Sequence, residues 1–122
     1  WWDKDEYKVN FEGSIKHFVH HIQDCVDWIG IMSYRREVGK IIRLVEDELL
    51  YASKHRQARS VAPSMETSSI KGKEAQISFG GGPTEQFRVA LASLRSTYAD
   101  NSIIRCIMLH HYDSLRTYLN RD

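Results

Sequence analysis

Apolar residues recur at helical spacing along most of the chain. From Gly13 onward, Ile15, Phe18, Val19, Ile22, Cys25, Val26 and Ile29 share one stripe, with Ser14 as a candidate N-cap and Gly30 as a stop. Val38, Ile41, Ile42, Val45, Leu49 and Ala52 predict a second helix over about 34–56. Thr84 follows Pro83 as a cap, and Phe87, Ala90, Leu91, Leu94 and Tyr98 form a third stripe over 84–99. Ile104, Ile107, Met108, His111, Leu115, Tyr118 and Leu119 form a fourth over 102–120, capped by Asp100, Asn101 or Ser102. Four amphipathic segments that cannot each bury a stripe alone predict an all-α fold, a four-helix bundle. Its expected core is Phe18, Ile22, Val26, Ile41, Val45, Leu49, Phe87, Leu91, Leu94, Ile104, Met108 and Leu115.

Alternation at strand period is short. Tyr7, Val9 and Phe11 alternate with polar residues, so 1–12 reads as an N-terminal arm or edge strand ahead of a bundle domain over 13–122. Residues 57–83 are polar and rich in Gly, Ser and Lys, and read as a long flexible loop. Within it Ala75, Ile77 and Phe79 alternate again, and the two short runs could pair as a two-stranded β element.

The chain has 122 residues, one domain's worth, with 42% hydrophobic and 27% charged residues. That excludes disordered and low-complexity classes. The net charge of +1 gives no whole-chain field toward nucleic acid or an anionic membrane. No run approaches the roughly 20 apolar residues of a membrane helix, and the acidic, aromatic start is unlike a signal peptide. Cys25 and Cys106 are too far apart for a CxxC motif and read as reduced core residues, which favours an intracellular setting.

Candidate chemistry is sparse. His17 and His21 face one way at i, i+4, but no Glu-x-x-His completes a metal site, so no metal or cofactor is expected. Arg105 and His110 fit Arg-x4-His, which resembles the signature of the helical HEPN ribonucleases. That resemblance implies His110 as acid–base and Arg105 as the phosphate-stabilising group. Lys54, Arg56, Arg59, Lys71 and Lys73 make a basic stretch able to touch phosphates, without interleaved aromatics for base stacking. Gly80, Gly81 and Gly82 read as a hinge before a helix that already carries Glu85 at its start.

A second resemblance is broader. Arg105, Cys106, Tyr112, Asp113 and Leu115, together with Glu37, Gly39, Leu44, Glu46, Leu50 and Tyr51, resemble the helical domain of GINS replication subunits of the "partner of Sld five" type. The resemblance implies a non-catalytic helical scaffold that joins sister subunits in a hetero-oligomer. It further implies assembly with the replicative helicase and a nuclear location; without it the default is cytoplasmic. Trp28, Tyr34, Tyr98, Tyr112 and Tyr118 are the expected interface anchors, since Trp and Tyr dominate protein interfaces.

Overall fold

The computed structural model describes residues 5–121 and is mixed α/β, which overturns the all-α expectation. Strands β1 (Lys8–Phe11) and β2 (Ser14–His17) form an antiparallel hairpin, turned at Glu12 and Gly13, which both have positive φ. The order continues α1 (Phe18–Cys25), β3 (Ile29–Ile31), α2 (Val38–Lys54), β4 (Val61–Glu66), α3 (Thr84–Thr97), β5 (Met108–His110) and α4 (Tyr112–Leu119). Strands β3, β4 and β5 make a parallel sheet in that order, with α2 and α3 as the crossovers. Short 3-10 turns occupy Asp5–Tyr7 and Gly72–Ile77.

The two faces of this sheet differ because side chains alternate along each strand. Ile31, Val61 and Met65 pack with Ile41, Val45 and Ala52 of α2 and with Phe87, Ala90 and Leu94 of α3. Both crossover helices therefore lie on one face, as a strand order that advances without reversal requires. Each fully buried aliphatic side chain there contributes roughly 1.5–3 kcal/mol. The other face carries Gly30, Ala62, Ser64 and Glu66. Met108 reaches across it, so that a Cβ on Gly30 would stand 2.7 Å from the Met108 sulfur.

Helices two and three appear close to their expected bounds. The other two do not. The stripe over 13–30 divides into β2, α1 and β3, and the stripe over 102–120 divides into β5 and α4. The segment 57–83 is not loop throughout: Val61–Glu66 is buried at every position and is the central strand. Pro63 hides it, since proline argues against a central strand. After Pro63, β3 has ended, and the Ser33 hydroxyl takes over the pairing. It accepts the Ser64 N–H at 2.9 Å and donates to the Ser64 carbonyl at 3.1 Å. The β element pairs 8–11 with 14–17, not with 75–79. Phe18, Val26 and Met108 of the expected core are exposed, while Ile22, Leu49, Leu91, Ile104 and Leu115 are half-buried. The first residues of the expected arm, Trp1 and Trp2, lie outside the described residues.

Candidate active site at the carboxyl end of the sheet

Three chain segments leave the carboxyl ends of the parallel strands and converge there. In parallel α/β sheets this end is where ligands bind, because the loops that follow the strands form the crevice. Glu66 closes β4 and His110 closes β5, as register partners on the face away from α2 and α3. The Glu66 Oε2 lies 2.5 Å from His110 Nδ1, and its Oε1 accepts the Ser68 N–H at 2.6 Å. The Glu66 side chain is only 5% exposed, whereas that of His110 is 52% exposed. Burial by itself would raise the Glu66 pKa. The hydrogen bonds from Ser68 and His110 outweigh it and hold the carboxyl below the ordinary glutamate range. Glu66 is therefore an ionised, anchored carboxylate at neutral pH.

The Tyr34 ring, on the loop after β3, lies 5.6 Å from the His110 ring. Burial first, and the Glu66 charge second, push its phenol up, so it stays protonated and able to donate. The neighbouring loops are braced. Arg36 Nε donates to the Ser78 carbonyl, the Phe79 N–H donates to the Glu66 carbonyl at 2.9 Å, and the Ser78 hydroxyl donates to the Ser68 carbonyl. Gly80 is packed so closely that a Cβ would lie 2.3 Å from the carbonyl oxygens of Thr67 and Ser68. Gly80, the first of the three glycines expected to hinge, is thus part of a locked floor. On the third side, Thr67 Oγ1 donates to the His110 carbonyl at 3.1 Å and meets Ser114 Oγ at 3.0 Å, fixing the start of α4 to the end of β4.

The pair Arg105 and His110 is not brought together. The Arg105 N–H bonds the Val61 carbonyl at the start of β4, while His110 stands beside Glu66 at its end. Five residues of strand separate them, about 16 Å at the usual rise. The Arg105 guanidinium instead lies over the Trp28 ring, 5.1 Å from its centroid. Of the expected interface aromatics, Trp28 and Tyr112 are exposed, Tyr34 is half-buried in the site, and Tyr98 and Tyr118 belong to the core. Tyr118 is closed inside by its ring contact with Phe87 and its bond to the Pro83 carbonyl.

The expected basic stretch is split. Lys54, Arg56 and Arg59 sit at the amino end of the sheet, and Lys71 belongs to the loops of the carboxyl end. Lys73 falls in the 3-10 turn, and its side chain lies outside the described residues. Both cysteines are free and exposed rather than core residues. His20 stacks between His17 and Tyr51, and His55 stacks on the far side of Tyr51. Among the described residues no group of three His, Cys, Asp or Glu side chains is arranged to hold a metal ion. No helix among them is long and apolar enough to cross a membrane.

Glu66 escapes sequence reasoning because its strand reads as loop. The one available signal is the run Val61-Ala62 six residues beyond an amphipathic helix, followed by a carboxylate at Glu66. Fold and site together define a small parallel α/β domain with a carboxylate–imidazole pair at its carboxyl end. Compared with protein-family models, curated proteins and solved structures, the chain matches none of them.

Proposed function

We propose that the domain is catalytic and that Glu66 and His110 form an acid–base pair acting on a small polar substrate at the carboxyl end of the sheet. The observation that carries this is the contact between a buried, ionised carboxylate and a half-exposed imidazole. Glu66 accepts a hydrogen bond from the Nδ1–H and so sets the tautomer, which leaves Nε2 to accept a proton from water or a substrate hydroxyl. The imidazolium that forms is stabilised by the adjacent carboxylate, the role an orienting acid plays beside a histidine base. Tyr34 supplies a neutral donor next to the pair. The winding, with consecutive parallel strands and helices on one face, is also that of β/α-barrel walls, which place chemistry at this end; that is an analogy of architecture. Glu66→Gln and His110→Ala should each abolish turnover of whichever chromogenic ester, glycoside or phosphodiester the purified protein hydrolyses, with folding unchanged. Equal turnover by Glu66→Gln would rule the pair out. Single-stranded RNA belongs in the same panel; its cleavage with dependence on both His110 and Arg105 would favour the ribonuclease resemblance instead.

A second reading, a subunit of a larger assembly as the GINS resemblance implies, has its own support. Phe11, Ile15, Phe18, Val26, Trp28 and Met32 are all exposed within one third of the chain, more apolar surface than isolated exposed side chains explain. Co-purification of sister replication subunits from nuclear extract would support it, and a monodisperse, partner-free monomer would count against it.

A further inference from the structure

At the amino end of the sheet, opposite the Glu66–His110 pair, lies a cleft of about 1000 Å³. It is walled by the last turns of α3, the segment before β4 and the segment that leads into β5. Three guanidinium-bearing residues line it, Arg59, Arg95 and Arg105, against one acid, Asp100. No carboxylate among the described residues pairs with any of the three. The backbone holds Arg59 there at a cost: its φ is +52°, a left-handed conformation a non-glycine residue adopts only when its surroundings enforce it. The Arg59 N–H is tied to the Ser102 carbonyl at 2.9 Å. The Arg105 guanidinium is held over the Trp28 ring, outside the cleft lining, so Arg105 walls the cleft without turning its charge into it. Tyr98, 8% exposed, lines the same cleft, and its buried phenolic oxygen has no hydrogen-bond partner. Leu91, Ile104 and Ile107 supply an apolar wall.

We infer that this cleft is a binding site for a small phosphate-bearing organic anion, with Arg59 and Arg95 as the phosphate ligands and the Leu91–Ile104 wall for its organic part. Guanidinium forks match phosphate oxygens in pairs, which makes arginine the side chain suited to such a group. The volume is at the upper end for small-molecule sites. A polynucleotide is the poorer fit. The basic residues do not form a continuous track, and the only aromatic in the cleft is Tyr98, which is buried and offers no face for base stacking. This site is independent of the acid–base pair at the other end of the sheet.

The test is titration of the full chain with inorganic pyrophosphate and with AMP, followed by amide NMR shifts and calorimetry. Saturable binding is expected, with shifts at Arg59, Arg95, Ser102 and Arg105 and none at Glu66 or His110. Arg95→Gln, on the exposed surface of α3, should weaken it about tenfold or more, and Arg59→Gln likewise. Because Arg59 holds a left-handed backbone that a substitution can disturb, Arg95→Gln is the decisive variant, with Arg95→Lys restoring part of the affinity. No saturation at millimolar ligand, shifts elsewhere, or affinity unchanged in Arg95→Gln would each overturn the inference. So would a single-stranded oligonucleotide that binds the same residues more tightly than either probe.

Discussion

Glu66 and His110 are register partners across β4 and β5, and their side chains meet at 2.5 Å on the face of the sheet that the crossover helices leave free. The same strand pairing that closes the core on one face thus sets the carboxylate against the imidazole on the other. Parallel register fixes which residues stand side by side, so a slip of either strand by one position would turn its member of the pair into the apolar layer.

The depressed pKa of Glu66 makes stability depend on acid pH. The ordinary value is 4.5 and the folded value lies below it. Its contribution is fully present above about pH 4.5 and is lost as pH falls through the folded value. Melting temperatures from pH 3 to 7 should therefore fall more steeply for the natural chain than for Glu66→Gln at the acid end. Asp24, also depressed against burial by Lys16 and Tyr51, leaves a residual slope in the variant. Identical slopes would show that Glu66 is not held ionised.

His20 acts at higher pH. Burial lowers it from 6.5, opposed by Asp47, whose Oδ2 sits 2.9 Å from Nε2 without the alignment of a hydrogen bond, and assisted by the charges of His17 and Lys16. The depressed folded value means that its stabilising contribution is present above about pH 6.5 and disappears as pH falls toward the folded value. Denaturant midpoints should decline from pH 7 to 5.5. His20→Phe, which keeps a ring to stack on Tyr51, should flatten that decline.

Two glycines should respond in opposite directions to the same added methyl. Gly80→Ala drives a Cβ into the backbone oxygens of Thr67 and Ser68, and should cost about 3 kcal/mol or more, because neither carbonyl can swing away. Gly39→Ala, in the first turn of α2 with nothing within 4 Å, should stabilise by about 0.5 kcal/mol through the unfolded chain's lost freedom. Urea melts of both variants check the pair, and a mild effect at Gly80 would mean the floor of the site is not locked.

Tyr118 ties α4 to the start of α3. Its hydroxyl donates to the Pro83 carbonyl at 2.6 Å, and its ring stands edge-on to Phe87 with centroids 5.9 Å apart. Tyr118→Phe should cost about 1 kcal/mol, the usual net worth of one such bond. Tyr118→Ala should cost about 3–5 kcal/mol by leaving a cavity. Equilibrium unfolding separates the two, and equal losses would assign the whole effect to the hydrogen bond.

Helices α2 and α3 were determined by sequence alone, because each presents an unbroken stripe of Ile, Val, Leu, Ala and Phe at helical spacing and needs no knowledge of its neighbours. The buried positions Ile41, Val45, Phe87 and Leu94 follow from that pattern. What only the tertiary structure decided is the sheet between them. Strands of three residues, such as Ile29–Ile31 and Met108–His110, are too short to show a period, and both lie inside longer stripes that mimic a helix. The six residues of β4 are buried on both faces, so they show no alternation, and Pro63 and Ser64 disguise them as loop. Their hydrogen-bond partners lie on β3, on β5 and on the Ser33 hydroxyl, all distant in sequence. The candidate site inherits the same reason: Glu66 and His110 are separated by 44 positions, and parallel pairing across the completed sheet is what makes them neighbours.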